Sequence, residues 1–217
     1  MQSKLLSHLF TAPRSSEVLT VLDVGSAMPD TVEFFSEYRC RLYFLDLFSE
    51  SFLQHQSEME EEELRRAMIG ALTIPKGTRL DVCLLWDFPN YLDKRTLALF
   101  FELITPYLHP STRAHCFGTL NGKTASTDRQ YGLESTESLS VRGRRETAAS
   151  ACYPHSQSEI RDLAPQLEIN RGVLLSDGRL EMLLTVKTEA DSEAVAKMAS
   201  LRDSPVRVRL REQAVSG

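Results

Sequence analysis

The chain has 217 residues, 42% apolar and 25% charged, enough for one substantial α/β domain with a sizeable core. A formal net charge of −5 excludes a general electrostatic grip on nucleic acid or an anionic membrane and leaves room only for a local basic patch. The opening MQSKLLSHLFTAP lacks the unbroken apolar stretch of a signal peptide, and no run is long enough to span a bilayer. The four cysteines, at 40, 83, 116 and 152, have no metal-ligand spacing. The expectation is therefore a cytoplasmic protein with reduced thiols, Cys83 and Cys116 buried in apolar runs, and no metal.

In chain order, EVLTVLDVGS (17–26) is β-branched and apolar before it meets a glycine, which predicts a strand buried on both faces. Pro29 suits the first position of a helix over DTVEFFSEY, and RLYFLDLF (41–48) is a second strand. Residues 49–71 read as helical, with Glu61–Arg65 and Glu62–Arg66 four apart on a solvated face. ALTI, before Pro75, reads as a short edge strand, and RLDVCLLWD (79–87) as a strong one. Asp93 is the N-cap of an amphipathic helix that Pro106 ends or kinks. TRAHCFGTL is the next strand, with His115 and Cys116 as core packing.

Residues 120–150 are polar and rich in Ser, Thr and Gly, and read as a long loop or lid. Ser156 with Glu159 forms a capping box, and Asp177-Gly178 turns a hairpin within LEINRGVLLSDGRLEMLLTVK. The expected organisation is one domain over 1–187 followed by a loosely held tail, 188–217. Alternating strands and helices predict a Rossmann-like, mostly parallel sheet of seven strands, helices on both faces, closed by a C-terminal antiparallel hairpin.

VLDVGSAMPD, the acid-ended strand LYFLDL, LDVCLLWDFPNYL with its following helix, and the closing hairpin together resemble class I S-adenosylmethionine-dependent methyltransferases over residues 15–187. The resemblance implies S-adenosylmethionine as cofactor, with Gly25 starting its loop, Asp23 shaping that loop, and Asp46 accepting from the ribose hydroxyls. Ser26, Ala27, Leu47 and Asp87 complete the implied cofactor set. The acceptor region would include Phe88, Asn90, Tyr91, Tyr153 and His155, the last a candidate base or simply an exposed loop residue. Asp87 either contacts a ligand or caps the following loop, and Trp86 is core or a stacking platform. Arg142, Arg144 and Arg145 either engage an anion or are solvated.

The loop departs from the family pattern: Ala27 and Pro29 stand where two further glycines are usual. If residue 27 needs a positive φ, alanine there costs about 1 kcal/mol. Two readings follow. One is a methyltransferase acting on a small molecule; the other is a catalytically inactive, methyltransferase-like binding or regulatory protein whose pocket is filled by side chains such as Met28, or which forms a stable complex with another protein. A nicotinamide-dependent enzyme fits less well, because the loop also departs from G-x-G-x-x-G.

Overall fold

Each of the first three strands is short, apolar and followed by helix. β1 (Leu19–Asp23) leads into α1 (Pro29–Ser36), β2 (Cys40–Phe44) into α2 (Phe52–His55) and α3 (Glu61–Ala71), and β3 (Val82–Trp86) into α4 (Lys94–Ile104). β4 (Arg113–Thr119), β5 (Arg129–Leu133), β6 (Leu139–Gly143), α5 (Gln157–Leu163), β7 (Leu167–Leu174) and β8 (Arg179–Val186) follow. This computed structural model describes residues 1–11, 18–119, 129–143 and 151–188. The chain divides into units Met1–Val186 and Lys187–Gly217, and residues 189–217 lie outside the described residues.

The main sheet runs β2-β1-β3-β4-β8-β7, with the first four strands parallel and β8 antiparallel to both β4 and β7. From β1 the chain steps one way to β2, then returns past β1 to β3 and on to β4. Right-handed crossovers therefore put α1 on one face and α2–α4 on the other. A 3-10 turn over Leu6–Phe10 joins the α1 face, where Phe10 packs on Phe34, Phe35 and Tyr38 at centroid distances of 5.5–6.1 Å. The order reverses at β1, so the crevice between the C-terminal ends of β1 and β3 is the switch point.

The local signals form as expected. Pro29 opens α1, Asp93 Oδ1 accepts from Thr96 N at 2.8 Å, and Ser156 and Glu159 make both bonds of a capping box. α4 stops at Ile104, one residue before a 3-10 turn containing Pro106. Gly178 takes φ +81 in the turn between β7 and β8. Cys83 and Cys116 are buried, and burial pushes both thiols up to about 12.

Four expectations are corrected. The main sheet has six strands, not seven, because residues 71–74 join no strand ladder: Leu72 and Ile74 are buried plugs at the exit of α3, in tight turns bonded Thr73 N to Ala71 O and Ile74 N to Leu72 O. The expected helix over 49–71 is broken between α2 and α3, where Gln56 turns inward; its Nε2 donates to Leu53 O and Tyr91 O, and its Oε1 accepts from Asp93 N. Arg65 reaches across to Glu102 of α4 at 2.8 and 2.9 Å instead of pairing along its own helix. Finally, within the expected loop, β5 and β6 form a two-stranded antiparallel sheet, with Tyr131, Leu133 and Leu139 buried. The rest of that segment, 120–128 and 144–150, lies outside the described residues.

A buried acid ties the first residues to this frame. Glu181 on β8 is fully buried and accepts from Ser3 Oγ, Lys4 N at 2.9 Å, Leu5 N at 3.3 Å and His115 Nε2 at 2.8 Å. Burial acts to raise its pKa, but the bonds from His115 and Ser3 prevail and hold the carboxyl at about 2. Just before this, Met1 exchanges backbone bonds with Leu139, and Gln2 makes an isolated antiparallel bridge to Ser138, so the chain start is fastened beside the β5–β6 pair.

Removing Glu181 strands Ser3 Oγ, Lys4 N and His115 Nε2 at once, while Leu5 N keeps Ser3 Oγ as acceptor at 3.2 Å. Glu181→Ala is expected to lower unfolding free energy by about 3–5 kcal/mol, measured by denaturant titration, while Glu168→Ala on β7 costs under about 1 kcal/mol. Because the folded pKa of Glu181 lies below the unfolded value, its contribution is complete above about pH 4.5 and fades as pH falls towards 2.

Candidate functional site

The β1–β2 ladder does not stop where the strands stop. Leu45 N donates to Asp23 O at 3.0 Å, Asp46 N to Gly25 O at 3.2 Å and Leu47 N to Val24 O at 2.9 Å. The turn at Gly25 and the carboxylate of Asp46 are therefore neighbours on the C-terminal rim, beside the switch point. Asp46 is half-buried and sits in the left-handed region at φ +41, which aspartate tolerates better than most residues. Its Oδ2 accepts from Ser49 Oγ at 2.9 Å.

Asp23 ends β1 with 2% of its surface exposed. Its Oδ1 accepts from Gly25 N at 2.8 Å and from Trp86 Nε1 at 2.6 Å, and its Oδ2 has no hydrogen-bond partner. Burial pushes the carboxyl up to about 7 against the pull of those two bonds, and the nearby charge of Asp46 adds to the rise. Gly25 has an ordinary φ, so its small size matters for space: a Cβ there would stand 3.2 Å from Asp23 Oδ1 and 3.4 Å from both Trp86 Cδ1 and Nε1. Ala27 is exposed and also lies outside the positive-φ region, so the strain considered for alanine does not arise.

Trp86 is 1% exposed and holds φ +50, in the region an aromatic residue enters at a cost of about 1–2 kcal/mol. The register of β3 against β4 shifts between Leu84 and Trp86, which accommodates this backbone. The indole stacks on Tyr131 at 5.4 Å and 13°, and Tyr131 stacks on Phe117 at 5.3 Å. The Tyr131 hydroxyl donates to Asp87 Oδ2 at 3.1 Å and accepts from Arg179 Nη1 at 2.8 Å. Burial, then the charge of Asp87, pushes this phenol well above its ordinary range. The β5–β6 hairpin is further pinned to the rim by Gln130 Nε2 to Ser26 Oγ at 3.0 Å, Leu133 N to Thr31 Oγ1 at 3.0 Å, and Ser140 and Arg142 to Asp30. Arg142 is thus paired, while Arg144 and Arg145 lie outside the described residues.

The remaining sequence candidates are drawn into packing. Leu47 and Phe88 are fully buried, and Phe88 meets Phe48 and Phe100 edge-on. Asn90 uses its side chain to clamp the end of β4, Nδ2 to Phe117 O at 2.8 Å and Oδ1 from Thr119 N at 3.1 Å. Tyr91 is 4% exposed and packs on Phe48. Tyr153 is half-buried, its backbone N–H on Asn90 O at 2.7 Å. His155 is 6% exposed, which corrects its reading as an exposed loop residue: Nε2 donates to Leu92 O at 2.8 Å, leaving Nδ1 buried without a partner. Among the described residues no group of three or more His, Cys, Asp or Glu is placed to hold a metal, and no helix is long and apolar enough to cross a membrane.

Tyr131, Arg179 and the sealing role of Trp86 are not anticipated by the sequence reading. The alternations of Tyr131 with Leu133 and of Leu139 with Val141 are the local signals for the hairpin.

No family model matches the chain, and neither does any curated protein. Solved structures do. An S-adenosylmethionine-dependent methyltransferase from Clostridium acetobutylicum is 13% identical over 80% of this chain and 85% of its own, with TM-score 0.46. The Burkholderia thailandensis 1,6-didemethyltoxoflavin-N1-methyltransferase is 15% identical over 78% and 71%, with TM-score 0.45. The glycopeptide N-methyltransferase MtfA is 8% identical over 79% and 90%, with TM-score 0.44. At these scores the likeness is loose, and the Rossmann-like, mostly parallel fold rests on the strand order itself.

Asp23 has a folded pKa near 7, above its ordinary 3.8, so the folded state keeps a proton that the unfolded chain releases. Stability is then expected to fall as pH rises between about 4 and 7. Asp23→Asn keeps an acceptor for Gly25 and Trp86 and removes that slope. Thermal melts of both proteins across this range check it: the variant should gain relative to wild type as pH rises.

Proposed function

We propose that the chain is an S-adenosylmethionine-dependent methyltransferase acting on a small-molecule acceptor. The carrying observation is the Asp46 N to Gly25 O bond of 3.2 Å, which sets a glycine turn beside a rim carboxylate at the switch point of the sheet. Two acids suit the two polar ends of the cofactor. Asp46, half-buried at the rim, is an acceptor for a vicinal diol. Asp23 offers a buried, unpartnered Oδ2 to an ammonium group, and a cation there would relieve the desolvation that burdens its charge.

The bound cofactor would supply an already activated methyl group. The chain's own task is then alignment and exclusion of water. Backbone at Ser26, Ala27 and Leu47 would line the cofactor, and Asp87, with Tyr131 held against it, would face the methyl acceptor. Phe88, Asn90, Tyr91, Tyr153 and His155 support that wall from behind, each tied into packing or backbone bonds, so no general base is assigned.

A second reading, an inactive methyltransferase-like binding protein, is favoured by one observation: the open side of Gly25 is filled by the Trp86 indole rather than by Met28. Met28 is buried at the N-cap of α1.

Calorimetry and thermal melts with S-adenosylhomocysteine separate the two. The methyltransferase reading expects measurable heat, a rise in Tm, and about tenfold or greater weakening in Asp46→Ala. Absence of both heat and Tm shift at millimolar ligand, in wild type and in Trp86→Phe alike, leaves the inactive reading in its place.

A further inference from the structure

We propose that Trp86 is a ligand-displaced gate: the indole fills the cofactor's place above Gly25 and must swing out, with Tyr131 and the β5–β6 hairpin, before a ligand can enter. The proposal rests on the cofactor reading above. Three independent observations support it.

The first is steric. Trp86 Cδ1 and Nε1 lie 3.4 Å from where a Gly25 Cβ would be, so the close approach that a glycine permits is already taken by a side chain of the same protein. A ligand that uses the bare backbone at Gly25 has to take the indole's position.

The second is conformational. Trp86 is one of two described non-glycine residues with positive φ, the other being Asp46. Aspartate tolerates that region, whereas a bulky aromatic residue does not. Trp86 is held there by the bond to Asp23, the stack on Tyr131 and the bulged register of β3. A strained residue held by a few replaceable contacts has another arrangement within reach.

The third is chemical. Leaving costs Asp23 one donor, the indole N–H at 2.6 Å. A ligand carrying an ammonium group returns a donor to that oxygen and offers another to Oδ2, which has none now. The exchange keeps the buried carboxylate solvated by hydrogen bonds throughout. Tyr131, which stacks on the indole, belongs to β5, so the hairpin moves with that ring once its bonds to Asp87 and Arg179 are given up.

Trp86 is the only tryptophan in the chain, so its own emission reports the gate. Titration of the full-length protein with S-adenosylhomocysteine is expected to shift emission to longer wavelength, saturating with the calorimetric isotherm. Trp86→Phe, which keeps an aromatic ring but lacks the N–H and the width, is expected to bind about tenfold tighter, since less of the protein sits closed. Trp86→Ala should bind at least as tightly if it folds; if it does not melt cooperatively, the phenylalanine variant decides. Heat in the variants with none in wild type supports a gate that is closed at rest. Binding to wild type without an emission change, or weaker binding in the folded variants, overturns the gate and leaves the cofactor reading standing. No heat in any of the proteins removes both.

Discussion

A carboxylate sealed at the end of β1 must find donors, and the rim of the sheet is arranged around that need. Asp23 takes the Gly25 N–H and thereby sets the turn out of the strand. It takes the Trp86 N–H and thereby fixes the side chain that ends β3. From Trp86 the order passes by stacking to Tyr131, and from Tyr131 by hydrogen bonds to Asp87 and Arg179. One buried charge centre thus coordinates β1, β3, β8 and the β5–β6 hairpin. Its second oxygen has no hydrogen-bond partner among the described residues.

Legibility in the sequence follows range. Pro29, Asp93, Ser156 with Glu159, and Asp177-Gly178 act within a few residues, and each marks an element boundary that the structure reproduces. The alternation of apolar strands with helices carries the parallel order for the same reason. What is missed is long-range. Trp86 and Asp23 are 63 residues apart, and Glu181 and Ser3 are 178 apart. The break between α2 and α3 depends on Gln56 reaching Asp93, and Arg65 prefers Glu102 on α4 to the acids of its own helix. None of these partners is written near the residue that uses it. The hairpin is hidden because two short apolar alternations are embedded in polar sequence. Residues 71–74 misled because a short apolar run before proline fits a helix exit as well as an edge strand.

The candidate site divides along the same line. Gly25 beside Asp46 is a consequence of adjacent parallel strands, so sequence order suffices to place them. What occupies the gap between β1 and β3 is decided by side-chain packing. In the gap itself that occupant is the Trp86 indole, bonded to Asp23 and stacked on Tyr131.

The position of β4 has a consequence for how the protein is made. One edge of β4 pairs with β3, and the other pairs with β8, which ends at Val186. During synthesis the four parallel strands can assemble while that second edge still presents bare N–H and C=O groups, with Ala114, Cys116 and Gly118 on one face and Arg113, His115, Phe117 and Thr119 on the other. Such an edge invites pairing with the wrong chain until β8 emerges. Ribosome-bound chains in which β8 has not yet left the exit tunnel should therefore be the sticky ones, and shielding by a chaperone would matter most in that interval.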